Sequence, residues 1–276
     1  MRESRSQLSQ QRRSQHSNLT LGLQLLHIAL LRRRWRGTAV TKCGHNDDFV
    51  PIASGGDGAF TQYWFVGWDI VLKTIIVAYQ GTDLGKIIPI FTDINFVLKP
   101  LRSELFPGVS TSLKTHGGFA DAHAKSAKAV LAAVKSGIAK YGATEVTLTG
   151  HSLGGAIAVI STVHLSINLP TDVNLRTITY SAPRVGNQDF VDFVNSRSVI
   201  SRVVNKKDPV PTLPGRFMGF AQTEGEIHIV DSGEWKNCPG QDNTNAECSV
   251  GYVPNLFVIN PSDHVGPFDG VTLGSC

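Results

Sequence analysis

Val146-Thr147-Leu148-Thr149-Gly150-His151-Ser152-Leu153-Gly154-Gly155-Ala156-Ile157-Ala158 changes character in its middle. Residues 145–149 alternate and are β-branched, which predicts a strand with Val146 and Leu148 on one side. From Ser152 the chain turns helical, with small residues at Gly154, Gly155, Ala156 and Ala158. Between the two lies Gly150-His151-Ser152-Leu153-Gly154, the G-x-S-x-G pattern of a serine raised on a sharp strand-to-helix turn. Such a turn strains the serine backbone, so the residues two before and two after it must carry no side chain that could collide. The start of the following helix places free N–H groups and positive dipole where an oxyanion would form. The plain alternative is a glycine-rich connection in an α/β core with no chemistry attached. Three fixed positions arise by chance; the strand before and the helix after give the pattern its weight.

A serine hydroxyl attacks only when a base removes its proton, and that base needs an orienting carboxylate. In serine hydrolases built on such a turn the order along the chain is Ser, then Asp or Glu, then His. Beyond Ser152, His164 falls inside the following helix, which leaves His228 and His264. His264 stands in a loop near the C-terminus and is the preferred base; His228 sits in strand-like Glu226-Ile227-His228-Ile229-Val230 and reads as structural. Asp208 follows a predicted strand, Val199–Asn205, and Pro209 bars a helix there, so it suits an acid delivered from a strand end. Asp172, Asp189, Asp192 and Asp231 stay open as alternatives, each otherwise a solvated surface carboxylate. Asp263 adjoins His264 in sequence, and such neighbours rarely face each other. His151 reads as a residue that shapes the turn.

Outward from this centre, strands are predicted over 62–68, 73–79, 175–180, Val199–Asn205 and 226–230, with an extended C-terminal tail. A helix is predicted over 121–141, with Ala127, Val130, Leu131, Val134 and Ile138 on one face, Gly142 as its stop and a tight turn at 116–119 before it. Strands alternating with helices, and no repeat, give an α/β fold with a mixed sheet. Gln80-Gly81-Thr82-Asp83 sits just past a strand end, where a hydroxyl could face the serine turn. Residues 84–98 place Ile87, Ile88, Ile90 and Phe91 in a loop-like setting, either as core or as a cover over an apolar cleft.

The 276 residues are 41% hydrophobic, which suits one large domain, and no stretch approaches the ~18 apolar residues of a membrane span. The net charge of +4 is uneven. Residues 1–41 hold eight arginines and one glutamate; the remainder holds 18 basic and 21 acidic residues, a balance of −3 that gives no reason to expect nucleic-acid binding. Residues 1–18 are Ser, Gln and Arg rich and are expected to be disordered. Residues 19–31 form an apolar run of signal-peptide length, yet Arg32-Arg33-Arg34 follows it and no cleavage pattern does. An internal anchor, a basic amphipathic helix or a misassigned start fit as well, so 1–41 is set apart from the domain of residues 42–276. Four cysteines and no zinc-type C-x-x-C favour disulfides in an oxidising compartment. Cys238–Cys248 would close a short polar loop, and Cys43–Cys276 follows by elimination.

With these residues in place the chain resembles the fungal class 3 triacylglycerol lipases, and more particularly their basidiomycete branch. The resemblance covers roughly Cys43 to Cys276. It rests on Tyr79-Gln80-Gly81-Thr82-Asp83, His116-Gly117-Gly118-Phe119, Gly150-His151-Ser152-Leu153-Gly154-Gly155, Ser181-Ala182-Pro183-Arg184-Val185-Gly186-Asn187, Asp208-Pro209-Val210-Pro211 and Asp263-His264. It implies an α/β-hydrolase with a mixed, mostly parallel central sheet and helices on both faces. It implies Ser152 as nucleophile, Asp208 as acid, His264 as base, and Thr82 with the Leu153 N–H as the oxyanion hole. It further implies Asp93 as the residue holding the oxyanion loop, residues 84–92 as a lid opening at an oil–water interface, secretion, and no cofactor or metal. Such lipases carry a helix with a cysteine before the first core strand; here Arg-rich sequence stands instead. In that light Cys238–Cys248 is the firmer pairing, and a local loop role for Cys43 competes with Cys43–Cys276.

The expected function is thus a secreted, monomeric hydrolase of carboxylic esters, triacylglycerol first, working at a lipid surface with transient membrane contact. His264 must be neutral to act as base, so activity is expected to fall below roughly pH 6. The enzymatic rivals are a feruloyl-type or other soluble-ester esterase and a phospholipase; the apolar lid sequence favours the lipase. The rival from another class is an inactive lipid-binding or truncated product, against which Ser, Asp and His in order speak.

Overall fold

The computed structural model describes residues 48–82, 96–255 and 257–273. An eight-stranded sheet forms its centre, in the order β1-β2-β3-β6-β7-β8-β9-β10. Its strands are β1 Phe49–Gly55, β2 Trp64–Asp69, β3 Thr74–Tyr79, β6 Glu145–His151, β7 Asn174–Tyr180, β8 Val199–Asn205, β9 Glu226–Ile229 and β10 Trp235–Cys238. From β3 through β9 neighbouring strands run parallel, and the antiparallel pairs β1–β2–β3 and β9–β10 flank them. A separate hairpin joins β4 Leu98–Pro100 to β5 Lys114–His116. The mixed, mostly parallel sheet expected for an α/β-hydrolase is present.

The turn between β2 and β3 closes on Asp69, whose side chain accepts the N–H groups of Val71 and Leu72, while Lys73 takes φ 53°. β1 escaped the sequence reading because Pro51 lies inside it. The strand is at the sheet edge and its register shifts between Pro51 and Ala53, which is how a strand accommodates proline. β4, β5 and β10 were also missed, being only three or four residues long.

The helix predicted over 121–141 is two helices, α1 Gly117–Ala124 and α2 Ala127–Tyr141. Nδ1 of His116 accepts the Phe119 N–H and so starts a helix at the supposed tight turn. The first helix stops because the His123 carbonyl accepts from the Ser126 backbone N–H, a tighter turn than the α ladder. Gly142 ends α2 in the left-handed region, as expected. Val130 and Val134 of α2 are buried against Val77, Val146 and Leu148 of the sheet. α3, Leu153–Asn168, is buried along most of its length, with α1, α2 and α4 (Gln188–Arg197) packed around it. A short helix, α5 Ser249–Tyr252, and a 3-10 turn, Pro261–Val265, lie in the tail read as extended. On the other face of the sheet, Phe268 and Leu273 of that tail pack on Ile178, Tyr180 and Val203.

Candidate active site

β3, β6 and β8 end at the same edge of the parallel sheet, where open α/β sheets bind ligands. Past those ends stand Thr82, Ser152 and Asp208. Ser152 bridges β6 and α3 with φ 55° and ψ −126°, a strained conformation for a residue with a side chain. The flanking glycines are steric requirements. A Cβ on Gly150 would meet the backbone of Gly154 at 2.3 Å, and one on Gly154 would meet the Tyr79 carbonyl at 2.2 Å. Gly81 is likewise fixed, since a Cβ there would lie 2.6 Å from the His151 carbonyl and 3.3 Å from Cβ of Ser152. That close approach sets Thr82, the next residue, beside the serine. Its Oγ1 is buried and has no hydrogen-bond partner among the described residues.

Nδ1 of His264 lies 3.0 Å from each carboxylate oxygen of Asp208, and both side chains are buried. The carboxylate only accepts, so Nδ1 carries the proton and the neutral ring keeps its lone pair on Nε2. Nε2 of His264 and Oγ of Ser152 are both buried without a hydrogen-bond partner among the described residues. Asp208 is itself held by the Val210 N–H at 3.0 Å. His264 lies in the 3-10 turn Pro261–Val265, which is tied to the Asp208 segment by two further bonds. The Asn260 N–H donates to the Lys207 carbonyl, and the Lys207 N–H donates to the Asp263 carboxylate. Asp263 thus braces the loop and does not orient its neighbour's ring.

His151 does more than shape a turn. Its Nε2 is 2.7 Å from the His264 carbonyl, and the two rings lie 4.5 Å apart. A carbonyl only accepts, so His151 donates and is a neutral Nε2–H tautomer. Burial, and next the adjacent His264, push its pKa well below 6.5, so the His151 ring is held neutral. His228 is excluded as base in this geometry: Nδ1 faces the Glu247 carbonyl at 2.6 Å and Nε2 the Lys206 carbonyl at 2.8 Å. Of the alternative acids, Asp231 pairs with Lys207 and Asp192 with Gln188 and Gln241.

A second layer was invisible in the sequence. The Arg184 guanidinium, almost fully buried, donates to Asp242 at 2.6 Å, to the Pro214 carbonyl at 2.8 Å and to the Thr212 carbonyl. It clamps the chain that follows Asp208. Asp242 lies in the loop closed by the Cys238–Cys248 disulfide, whose sulfurs are 2.05 Å apart, and also accepts the Gln222 N–H. The same sulfurs lie near Glu226, but Glu226 is engaged by Arg202 and Ser249. Asp93, the lid positions Ile87, Ile88, Ile90 and Phe91, the pair Cys43 and Cys276, and segment 1–41 lie outside the described residues.

Residues 76–218 match the family described as Lipase (class 3). The chain belongs to this family. A lipase of Rhizomucor miehei is 33% identical over 208 residues, 74% of this chain and 54% of that protein. The secreted mono- and diacylglycerol lipase MDL5 of Malassezia globosa is 28% identical over 205 residues, 73% of this chain and 64% of its own length. The chain thus spans less than two thirds of these relatives' length. The solved structure of Rhizomucor miehei triacylglyceride lipase superposes with a TM-score of 0.79 at 27% identity, covering 95% of this chain and 96% of that one. These comparisons show the class 3 lipase family and the α/β-hydrolase fold.

Proposed function

We propose that the protein hydrolyses carboxylic esters of acylglycerols, triacylglycerol foremost, through Ser152, His264 and Asp208. The observation that carries this reading is the buried His264 imidazole, pinned by Asp208 at Nδ1 and bare at Nε2 among the described residues, on a loop bonded to the residue preceding a strained serine. Nε2 takes the Ser152 proton as Oγ attacks the ester carbonyl, and it returns that proton to the departing alcohol. Water then repeats the cycle on the acyl-enzyme. Asp208 stabilises the imidazolium, and His151 holds the His264 backbone while staying neutral. Thr82 and the Leu153 N–H, at the start of α3, receive the oxyanion. No step calls for a cofactor. A disulfide, and relatives named as secreted, support an extracellular setting.

The test sets wild type beside Ser152→Ala on an emulsified triacylglycerol and on a short soluble ester. Hydrolysis of the emulsion that disappears in the variant is expected. Hydrolysis of the soluble ester alone would move the substrate class to small esters, and a folded wild type inert on both would overturn the enzyme reading.

A further inference from the structure

Phe217 and Phe257 are 94% and 98% exposed, although soluble proteins bury such rings. Neither belongs to the segment expected to form the lid. Phe217 stands in a 3-10 turn, Arg216–Met218, on the connection that carries Asp208; Phe257, with Val258 beside it, stands on the segment that carries His264. Neither connection hangs loose. Arg184 clamps the first at Thr212 and Pro214, and Asn260 ties the second to Lys207. Gly219 brings the Phe217 turn up to the β4–β5 hairpin, where a Cβ on it would touch Leu98 at 3.4 Å; Val97, next to Leu98, is itself exposed. The exposed Phe217 and Met218 thus stand on a turn that approaches the segment bearing the exposed Val97.

Charge gathers on the same stretches. Residues 96–118 and 206–219 hold six of the 18 basic residues of the 42–276 body and two of its 21 acidic ones, one being the buried Asp208. Arg102 and Lys207 pair with Asp121 and Asp231, whereas Lys99, Lys114, Lys206 and Arg216 form no ion pair among the described residues. Exposed apolar side chains on segments that also carry these cations, on a body that is acidic overall, complement an anionic lipid surface.

We infer that this face is a fixed docking surface for a lipid–water interface carrying carboxylates. The inference rests on the ester-hydrolase reading, because ester hydrolysis itself releases fatty-acid carboxylates into the surface. Phe217, Met218 and Val97 enter the apolar layer, and Lys99, Lys114 and Arg216 meet the carboxylates. Docking then strengthens as product accumulates.

The experiment measures partition of the catalytically silent Ser152→Ala protein onto phosphatidylcholine vesicles with and without oleate. Oleate is expected to raise the partition coefficient at least tenfold. F217S with M218S should lower it at least tenfold on both vesicles, and Arg216→Ser about fivefold on the oleate vesicles alone. With Ser152 intact, these variants should keep wild-type turnover of a short soluble ester, which shows that they fold and that the site works. Partition of the F217S/M218S protein equal to its parent, or indifference to oleate, overturns the inference. So does a dimer in solution that F217S dissociates, since it assigns the face to a second copy. Failure of the hydrolase reading would appear separately, as a folded wild type with no soluble-ester turnover.

Discussion

Thr82 illustrates how much a single residue carries here. Its hydroxyl is buried, unpartnered among the described residues and set beside Ser152 by the approach of Gly81 to the turn, an arrangement that stability alone does not favour. Thr82→Val keeps the shape and removes only the donor. It is expected to lower kcat about 10²–10³-fold with little change in KM or melting temperature, as deletion of an oxyanion donor does. A variant with full turnover would remove Thr82 from the mechanism. The glycines act through geometry. Gly150→Ala forces Cβ into the Gly154 backbone, where no flexible side chain can yield. At least the about 1–3 kcal/mol of an overpacked core is expected to be lost, and a denaturant midpoint checks it. At this scale part of the arrangement was readable: small residues around a serine pointed to its strained turn, and Asp and His in chain order pointed to the pair Asp208 and His264. The partner of His151 was not readable, because the carbonyl it holds lies 113 residues away and any residue could supply one.

Among the elements, the connection after β8 depends on contacts that no local pattern announces. Arg184 reaches Asp242 across 58 residues, and the Cys238–Cys248 disulfide shapes the loop that presents it. Sequence reading found the cysteine pair from its short polar loop but had no signal for what the loop holds. Arg184→Met leaves Asp242 as a nearly buried carboxylate without its cation, which costs about 3–5 kcal/mol. Cys238→Ser with Cys248→Ser costs about 2–4 kcal/mol through the freed unfolded chain and the loosened clamp. Both are read by thermal or urea unfolding, and combining them should fall short of additivity because they act on one contact chain. Additive losses would show that the loop and the clamp are independent. The missed elements have equally physical causes: Pro51 hides β1, and the His123 carbonyl, taken early by Ser126, divides one apolar period into two helices.

The whole molecule carries several buried histidines that the fold keeps neutral. Burial lowers His123 to about 3, with a further contribution from nearby His164. Burial lowers His164 to about 4, with Lys135 adding to it, and also lowers His116 to about 4. His151 moves the same way. Each titrates lower in the fold than its ordinary 6.5, so the unfolded chain binds protons first. Stability is therefore complete above pH 6.5 and is lost as pH falls from there towards 4 and 3, at up to about 1.4 kcal/mol per pH unit for each group. Urea midpoints at stepped pH should decline steadily across that window, and a flat profile down to pH 4 would contradict the buried neutral set. At this scale the α/β class and the edge where the site forms were legible from alternating periods. Which histidines pair across helices was not, since His123 and His164 meet only once α1 packs on α3.

The central claim is that Ser152 is a nucleophile activated by His264. The most direct measurement is reaction with a p-nitrophenyl alkylphosphonate, following release of nitrophenol and locating the adduct by peptide mass. The account predicts one equivalent released per chain, the phosphonyl group on the peptide containing Ser152, and no labelling of Ser152→Ala. It also predicts slow labelling when His264→Ala removes the base. A folded wild type that stays unlabelled, or an adduct on any other residue, would contradict it.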